Sequence, residues 1–317
     1  MTEPDVGPAP PPRGAPSARR LARRAYIGAL LVAATAVVVT RGDEVRALAA
    51  GTRPAPLLAA LGLTLLSLGQ SALFWSRGLA SLGTPRPLGT VLEATVASLP
   101  ARYLPGSVWY AAGRVGHLRG GGAPVLALTV VATVETFLSF VVAVSLGAGL
   151  LVASGGDGPG VSSAVLAVVA GALALAASPW VLNPVLRWIG ARRQLTTVPA
   201  LPWRTYLELC AHLVLFWAAS AAAFLCYLAA FPAVDAPGLV RTAGTFLVAW
   251  AAGFVAVFAP QGAGVFETTL AGLLTGAPVA ALAIVIAGFR ALTAIRDALA
   301  LGLLALHRLS RSRPPGA

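Results

Sequence analysis

The residues best equipped for chemistry lie where the chain is otherwise apolar. R-Y-L-P-G-S-V-W (102–109) supplies Arg102, Pro105, Gly106 and Trp109; Arg114 follows, and Glu135 stands in the middle of the next apolar run. The theme recurs later: A-P-Q-G-A-G-V-F-E (259–267) supplies Pro260, Gly262, Gly264 and Glu267, and Arg290 stands mid-way along the next apolar run. Proline removes a backbone donor and glycine admits unusual dihedrals, so each motif breaks a helix and leaves amides and carbonyls to be satisfied by protein, water or ligand. Amides that open a returning arm, with guanidiniums beside them, form a phosphate cradle. On this reading Arg102, Arg114 and Arg290 hold an anionic headgroup and Trp109 stacks on it. Glu135 and Glu267 set the electrostatics or carry a proton, while Pro105, Gly106, Pro260, Gly262 and Gly264 shape the breaks.

Each residue also has a structural role open to it. Arg102 and Arg114 can snorkel to headgroups, Trp109 can sit in an interfacial belt, and Glu267, three residues after Gly264, can cap its helix. At 1.5 Å per residue Glu135 lies about 17 Å from Pro124 and Arg290 about 18 Å from Pro278, both near the midplane of a hydrocarbon core roughly 30 Å thick. The simplest structural expectation is therefore a Glu135–Arg290 pair locking two halves together. Glu208 and His212, at i,i+4, are expected to pair. Arg296 and Asp297 point about 100° apart on a helix and need not pair. Asp297 falls seven residues after Arg290 and extends its stripe, and Glu93 is a candidate partner for Arg102.

The elements that must position these groups are membrane helices. Of 317 residues 57% are hydrophobic and 11% charged, with mean hydropathy +0.82, against roughly a quarter charged in a soluble domain. Apolar runs at 25–40, 55–75, 123–152, 161–186, 205–231 and 278–306 are read as full spans. The runs 88–101 and 239–258 enter the two breaks, with 107–117 and 264–275 as returning arms. The expected fold is an all-α polytopic membrane protein of about six full spans plus two re-entrant or broken hairpins, or alternatively seven to eight spans. G-A-P-V-L-A-L (122–128) recurs as G-A-P-V-A-A-L (276–282), which suggests two inverted pseudo-repeats, about 25–153 and 161–306, in one transmembrane domain spanning 25–306. Residues 1–24 and 307–317 read as basic tails. Arginines in the tails and in the 76–87 and 187–204 loops outnumber Arg41, Arg46, Arg53 and Arg241 on the other side, placing both termini in the cytoplasm.

Every basic Lys/Arg position is Arg, so Schiff-base and P-loop lysine chemistry is excluded. The net charge of +12 sits at the ends of apolar runs rather than in an aromatic-interleaved groove, which argues against nucleic acid. Cys210 and Cys226 have no partners at metal-ligand spacing, so no metal and no cofactor is expected. Gly120–Gly122 lack the GK[ST] of a P-loop, and neither HExxH nor G-x-S-x-G occurs.

The first motif with Arg114 and Glu135 after it, and the second through Glu267, resemble the lysylphosphatidylglycerol synthase transmembrane region, or flippase-like membrane protein, family. The resemblance covers essentially the whole chain after the N-terminal tail. It implies a membrane region that translocates phosphatidylglycerol once a cytosolic domain has aminoacylated it; with the charges converging on the two breaks, the expectation here is a bacterial plasma-membrane protein that binds and translocates an anionic phospholipid or polyprenyl-phosphate-type lipid, beside a separate lipid-modifying enzyme. Nothing here corresponds to that family's cytosolic aminoacyl-transferring domain, so enzymatic activity is not expected. Gln261, between Pro260 and Gly262, departs from the simple Pro-Gly element expected there. Two other readings stay open: a non-transporting scaffold or accessory subunit for lipid or envelope biosynthesis, and a small-solute secondary transporter.

Overall fold

The computed structural model describes residues 50–104, 108–155, 162–192, 200–232, 234, 237–256, 260–274 and 279–312, together with 42, 43 and 46. The expected 25–40 span, the 1–24 tail, the break residues Pro105 and Gly106 and the end of the C-terminal tail lie outside the described residues. The chain divides into Met1–Ala49 and Ala50–Ala317. In the first unit Arg46 pairs with Asp43 at 3.3 Å on an exposed surface; all that follows concerns the second.

Among the described residues all regular structure is helical. The order is α1 (Pro54–Ser81), α2 (Leu88–Ala97), a 3-10 turn (Leu99–Tyr103), α3 (Val108–Gly120), α4 (Val125–Ala153), α5 (Ser163–Ala176) and α6 (Pro179–Arg192). Then come α7 (Trp203–Ala229), α8 (Leu239–Val255), a second 3-10 turn (Pro260–Gly262), α9 (Val265–Leu273) and α10 (Val279–Ser312). Proline marks many of the starts: α1 and α6 begin on one, and Pro87, Pro124 and Pro202 cap α2, α4 and α7 in extended geometry.

Among the described residues three helices, α1, α4 and α7, are long and apolar enough to cross a membrane, with mean hydropathies of 1.8, 2.2 and 2.0. The run 161–186, expected to be a full span, forms α5 and α6, which are apolar enough to count together as a fourth span but are bent by 48° at the break between them. The cause is local: the chain leaves α5 at Ala177–Ser178 and restarts on Pro179, whose missing N–H cannot continue the α5 ladder. Asn183 then pins α6 to the start of α7, donating to the Leu201 carbonyl (3.0 Å) and accepting from the Leu201 amide (2.7 Å).

The packing is interleaved. α1 lies along α7, and its buried residues include Ala60, Thr64, Ser67, Leu68, Ser71, Ala72 and Trp75, with Leu68 packed against Val96, Leu99 and Ala300. The α2–α3 hairpin sends α2 against α10, and the α8–α9 hairpin sends α8 against α4. The α4–α8 crossing is close because Gly147 faces Gly244; a Cβ on Gly244 would stand 2.9 Å from the Gly147 carbonyl oxygen. The two 3-10 turns meet each other. Phe224, Phe246 and Phe289 pack with Tyr227 and Phe266 between α7, α8, α9 and α10.

Candidate functional site

Where the two turns meet, the helices leave a cavity of about 260 Å³. Its polar wall carries Arg102, Arg290, Arg296 and Glu135, and its apolar wall includes Phe216, Trp217, Trp250 and Phe254. Three ion-pair clusters border it.

The first is built on Glu135. Its Oε1 accepts from Ser71 Oγ (2.8 Å), its Oε2 from Trp75 Nε1 (2.6 Å), and both from Arg114 Nη1 (3.1 and 3.2 Å). The Arg114 side chain is 0% exposed, its guanidinium 4.7 Å from the Trp75 ring centroid and 4.5 Å from that of Tyr110. Sequence reasoning expected Arg114 among the phosphate ligands and Glu135 opposite Arg290. Instead α3 folds back on α4, so Glu135 takes Arg114, and Arg114 is not on the cavity lining.

The second cluster is the counterpart with the charges exchanged. Here the short helix carries the acid and the long one the base: Arg290 Nε donates to Glu267 Oε1 (2.7 Å) and Nη1 to the Gln261 carbonyl (3.0 Å). The guanidinium stands 4.8 Å from the Phe266 ring centroid. Glu267 Oε2 accepts from the Gly264 amide at 2.7 Å, so the residue both caps α9 and pairs with Arg290. Pro260 opens the turn, and Gln261 adopts φ 51°, which aims its carbonyl at Arg290. Gly262, at φ +66°, lies so close to α8 that a Cβ would stand 2.4 Å from the Gly253 carbonyl oxygen.

The third cluster joins the first turn to α10. Asp297 Oδ1 accepts from Arg296 Nε (2.8 Å) and Nη2 (2.5 Å), while Oδ2 accepts from Tyr103 OH (2.9 Å) and stands 3.5 Å from Arg102 Nη1. Adjacent residues do pair here, because the long Arg296 side chain curls back while its Nη1 reaches the Thr64 carbonyl (3.5 Å). Glu93, the expected partner of Arg102, instead faces His307, Arg308 and Arg311 on the last turns of α10 at 3.7–4.0 Å. Glu208 pairs with Arg204 at 3.3 Å, and His212 Nδ1 meets Gln70 Oε1 at 3.1 Å, so the expected Glu208–His212 pair is replaced by two others.

Of the predicted site residues, Arg102, Arg290, Glu135 and Gly262 line the cavity, and Glu267 touches it through Arg290. Trp109 is 40% exposed and off the lining; Trp217 and Trp250, packed 4.1 Å apart between centroids, supply the aromatic wall instead. Sequence reasoning named Asp297 as an extension of the Arg290 stripe and Arg296 as its neighbour but placed neither among the site residues, and it did not select Tyr103; mid-helix charge in an apolar run was the available signal for the first two. Around the cavity stand four arginines (102, 114, 290, 296) against three carboxylates (135, 267, 297). Arg102 is the surplus cation: it shares Asp297 with Arg296 at the longest of these distances, and its side chain is 28% exposed. The arrangement suits a single anion beside an apolar body. A scan against protein-family models matches none to this chain, and a search of the curated proteins finds no significant match.

Proposed function

We propose that the chain is a flippase-like membrane protein that binds, and moves between leaflets, a lipid bearing one phosphate-type anion. The observation that carries this reading is the surplus Arg102 on an aromatic-walled cavity where two helix breaks meet. A guanidinium without a full counterion in a low-dielectric site attracts an anion strongly, and a phosphodiester fits its fork. Trp217, Trp250 and Phe254 offer an apolar surface to the part of the lipid next to the headgroup.

The same reading covers the architecture. α1, α2–α3 and α4 form one half and α7, α8–α9 and α10 the other, related by pseudo-two-fold symmetry. What supports this is the contact pattern, in which α1 meets α7 while α2 meets α10 and α8 meets α4. The exchanged pairs, Arg114–Glu135 and Glu267–Arg290, fall at matching places in the two halves. Inverted repeats with broken helices at mid-membrane suit alternating access. The membrane would be the bacterial plasma membrane, with membership of the flippase-like family proposed on the motifs given above.

The test is transbilayer movement of headgroup-labelled anionic lipid in proteoliposomes. Wild type is expected to expose the label and Arg102→Ala to be at least tenfold slower at unchanged melting temperature, the loss of one charge-assisted pair being worth about 1.5–3 kcal/mol. Equal rates would reject the reading. The full neutralisation of Glu135 and Glu267 favours a second one, a scaffold whose buried pairs only lock helices. In that case neither binding nor movement of lipid would respond to Arg102.

A further inference from the structure

The second turn brings three positive-φ residues close together: Gln261 (φ 51°), Gly262 (φ +66°) and Gly264 (φ +88°). Among the described residues Gln261 is the one non-glycine with positive φ. Left-handed backbone presses the Cβ of an L-residue towards the following carbonyl oxygen, so glycine is what the backbone prefers at such a position. The main-chain task of position 261 is also one that glycine would perform, because the group that Arg290 Nη1 reaches at 3.0 Å is the carbonyl and not the side chain. A side chain is therefore carried here against the local preference. Strain of this kind clusters at ligand clamps and active sites, where it serves the site rather than the fold.

What the strain delivers is an amide on the cavity wall. Gln261 lines the cavity with Arg290, Gly262 and Phe266, and its side-chain amide has no hydrogen-bond partner among the described residues. The residue is half-buried, so a ligand that fills the cavity cuts the amide off from water and must replace what it removes. Ser139 and Trp250 bring further neutral donors to the lining, but from the interiors of α4 and α8, where no unusual backbone singles them out.

The two turns meet and divide the work by charge. The first carries Arg102, the surplus cation. The second offers a neutral amide, since Arg290 beside it is already held by Glu267 at 2.7 Å. A neutral donor grips an anion without altering the balance of four arginines against three carboxylates, so it adds hold without favouring a second negative charge.

Resting on the lipid-binding reading above, we infer that Gln261 is a specificity-determining residue of the cavity. Its side-chain N–H donates to the phosphate-type anion from the second turn, as Arg102 does from the first, and its neutrality holds the site to a single negative charge.

The experiment is titration of the purified full chain in detergent with dioctanoyl phosphatidylmethanol, whose headgroup offers nothing polar besides its phosphodiester, together with thermal unfolding of each variant. Gln261→Gly keeps the carbonyl for Arg290, relieves the strain and removes the amide. It is expected to bind about tenfold more weakly, the worth of one hydrogen bond to a charged group, while unfolding at the parent's temperature or above. Gln261→Met should lose the same affinity with no gain in stability, and Gln261→Asn, which keeps an amide and tolerates this φ, should bind more tightly than either. Gln261→Arg should shift the preference between phosphatidylmethanol and the more highly charged phosphatidic acid towards the latter. Undiminished binding by Gln261→Gly or Gln261→Met overturns the contact, and an unchanged preference in Gln261→Arg overturns the role in specificity. A lower unfolding temperature for Gln261→Gly would make the side chain a structural one and overturn the inference as well. In all these cases the lipid reading survives if Arg102→Ala binds more weakly than the parent; a parent that does not bind, or binds no better than Arg102→Ala, defeats that reading and this one with it. Dimethyl phosphate binding as tightly as the lipid, with the same dependence on Gln261, would uphold the amide contact and overturn the lipid as its source.

Discussion

Replacing Glu135 by Leu removes the one carboxylate that neutralises Arg114, whose side chain is 0% exposed at the α3–α4 contact. Both carboxylate oxygens are engaged, so the change also strands the donors of Ser71 and Trp75. Breaking a buried pair by removing one partner costs about 3–5 kcal/mol, most of it the penalty of an uncompensated charge. The aromatic faces of Trp75 and Tyr110 remain beside the guanidinium and return a share of order 1–2 kcal/mol. The expected net loss is about 1–4 kcal/mol. Replacing both partners, Glu135→Leu with Arg114→Met, removes the charge altogether and should recover most of the loss, because apolar groups of similar volume substitute well for buried pairs. The assay is reversible unfolding in mixed micelles, followed by tryptophan fluorescence on parent, both single variants and the double. If the single Glu135 variant unfolds within about 1 kcal/mol of the parent, Arg114 has a partner or solvent access that the geometry lacks. If the double is no better than the single, burial of the charge is not the cause.

Gly262→Ala should prevent the second turn from closing, since its Cβ would collide with the Gly253 backbone at 2.4 Å; Gly264→Ala, at φ +88° in open space, should cost only about 1–2 kcal/mol of backbone strain. Expression and melting of the two variants side by side separate collision from strain. Glu267→Gln keeps an acceptor for the Gly264 amide yet releases Arg290 from its charge partner. Anionic-lipid affinity should therefore rise several-fold with little change in stability, and a fall in affinity would contradict the placement of Arg290 on the binding wall. Asn183→Ala deletes both bonds to Leu201, about 1–3 kcal/mol of local fastening. Hydrogen exchange at 201–206 should accelerate while exchange in the α4–α8 contact stays unchanged.

Element positions were legible because length and hydropathy are one-dimensional properties. The runs 55–75, 123–152, 205–231 and 278–306 reappear within α1, α4, α7 and α10, and both break motifs fall between short arms. The bend at Pro179 was also written in the chain, but 161–186 has the apolar length of one span and was read as one. Partners were not legible in the same way. Arg114 and Glu135 are 21 residues apart, and Glu267 and Arg290 are 23 apart. These pairs close only because each returning arm folds back on the following helix, a tertiary fact that depth along a span alone cannot supply. The depth argument set Glu135 opposite Arg290 because it located both along the membrane normal and neither around it. For Arg296 and Asp297 the helical angle between adjacent side chains was correct, but the reach of a flexible guanidinium overrode it. The stripe Thr64, Ser67, Ser71 has a readable i, i+3, i+7 spacing, yet what those hydroxyls face appears only in three dimensions.

The polar groups of α10 draw partners from earlier-made pieces of chain as well as from each other: Arg290 pairs with α9 and its turn, while Arg296 and Asp297 pair together and reach α1 and the first turn respectively. Alone, α10 therefore carries an unpaired Arg290 and an Arg296–Asp297 pair stripped of its outer contacts, groups that an apolar environment would penalise by several kcal/mol. Its burial is conditional on contacts that α1, the first hairpin and the second hairpin supply. Assembly is thereby self-checking: a chain whose earlier elements have misfolded offers α10 no matching partners, and the defect surfaces as an unpacked helix rather than as an idle protein.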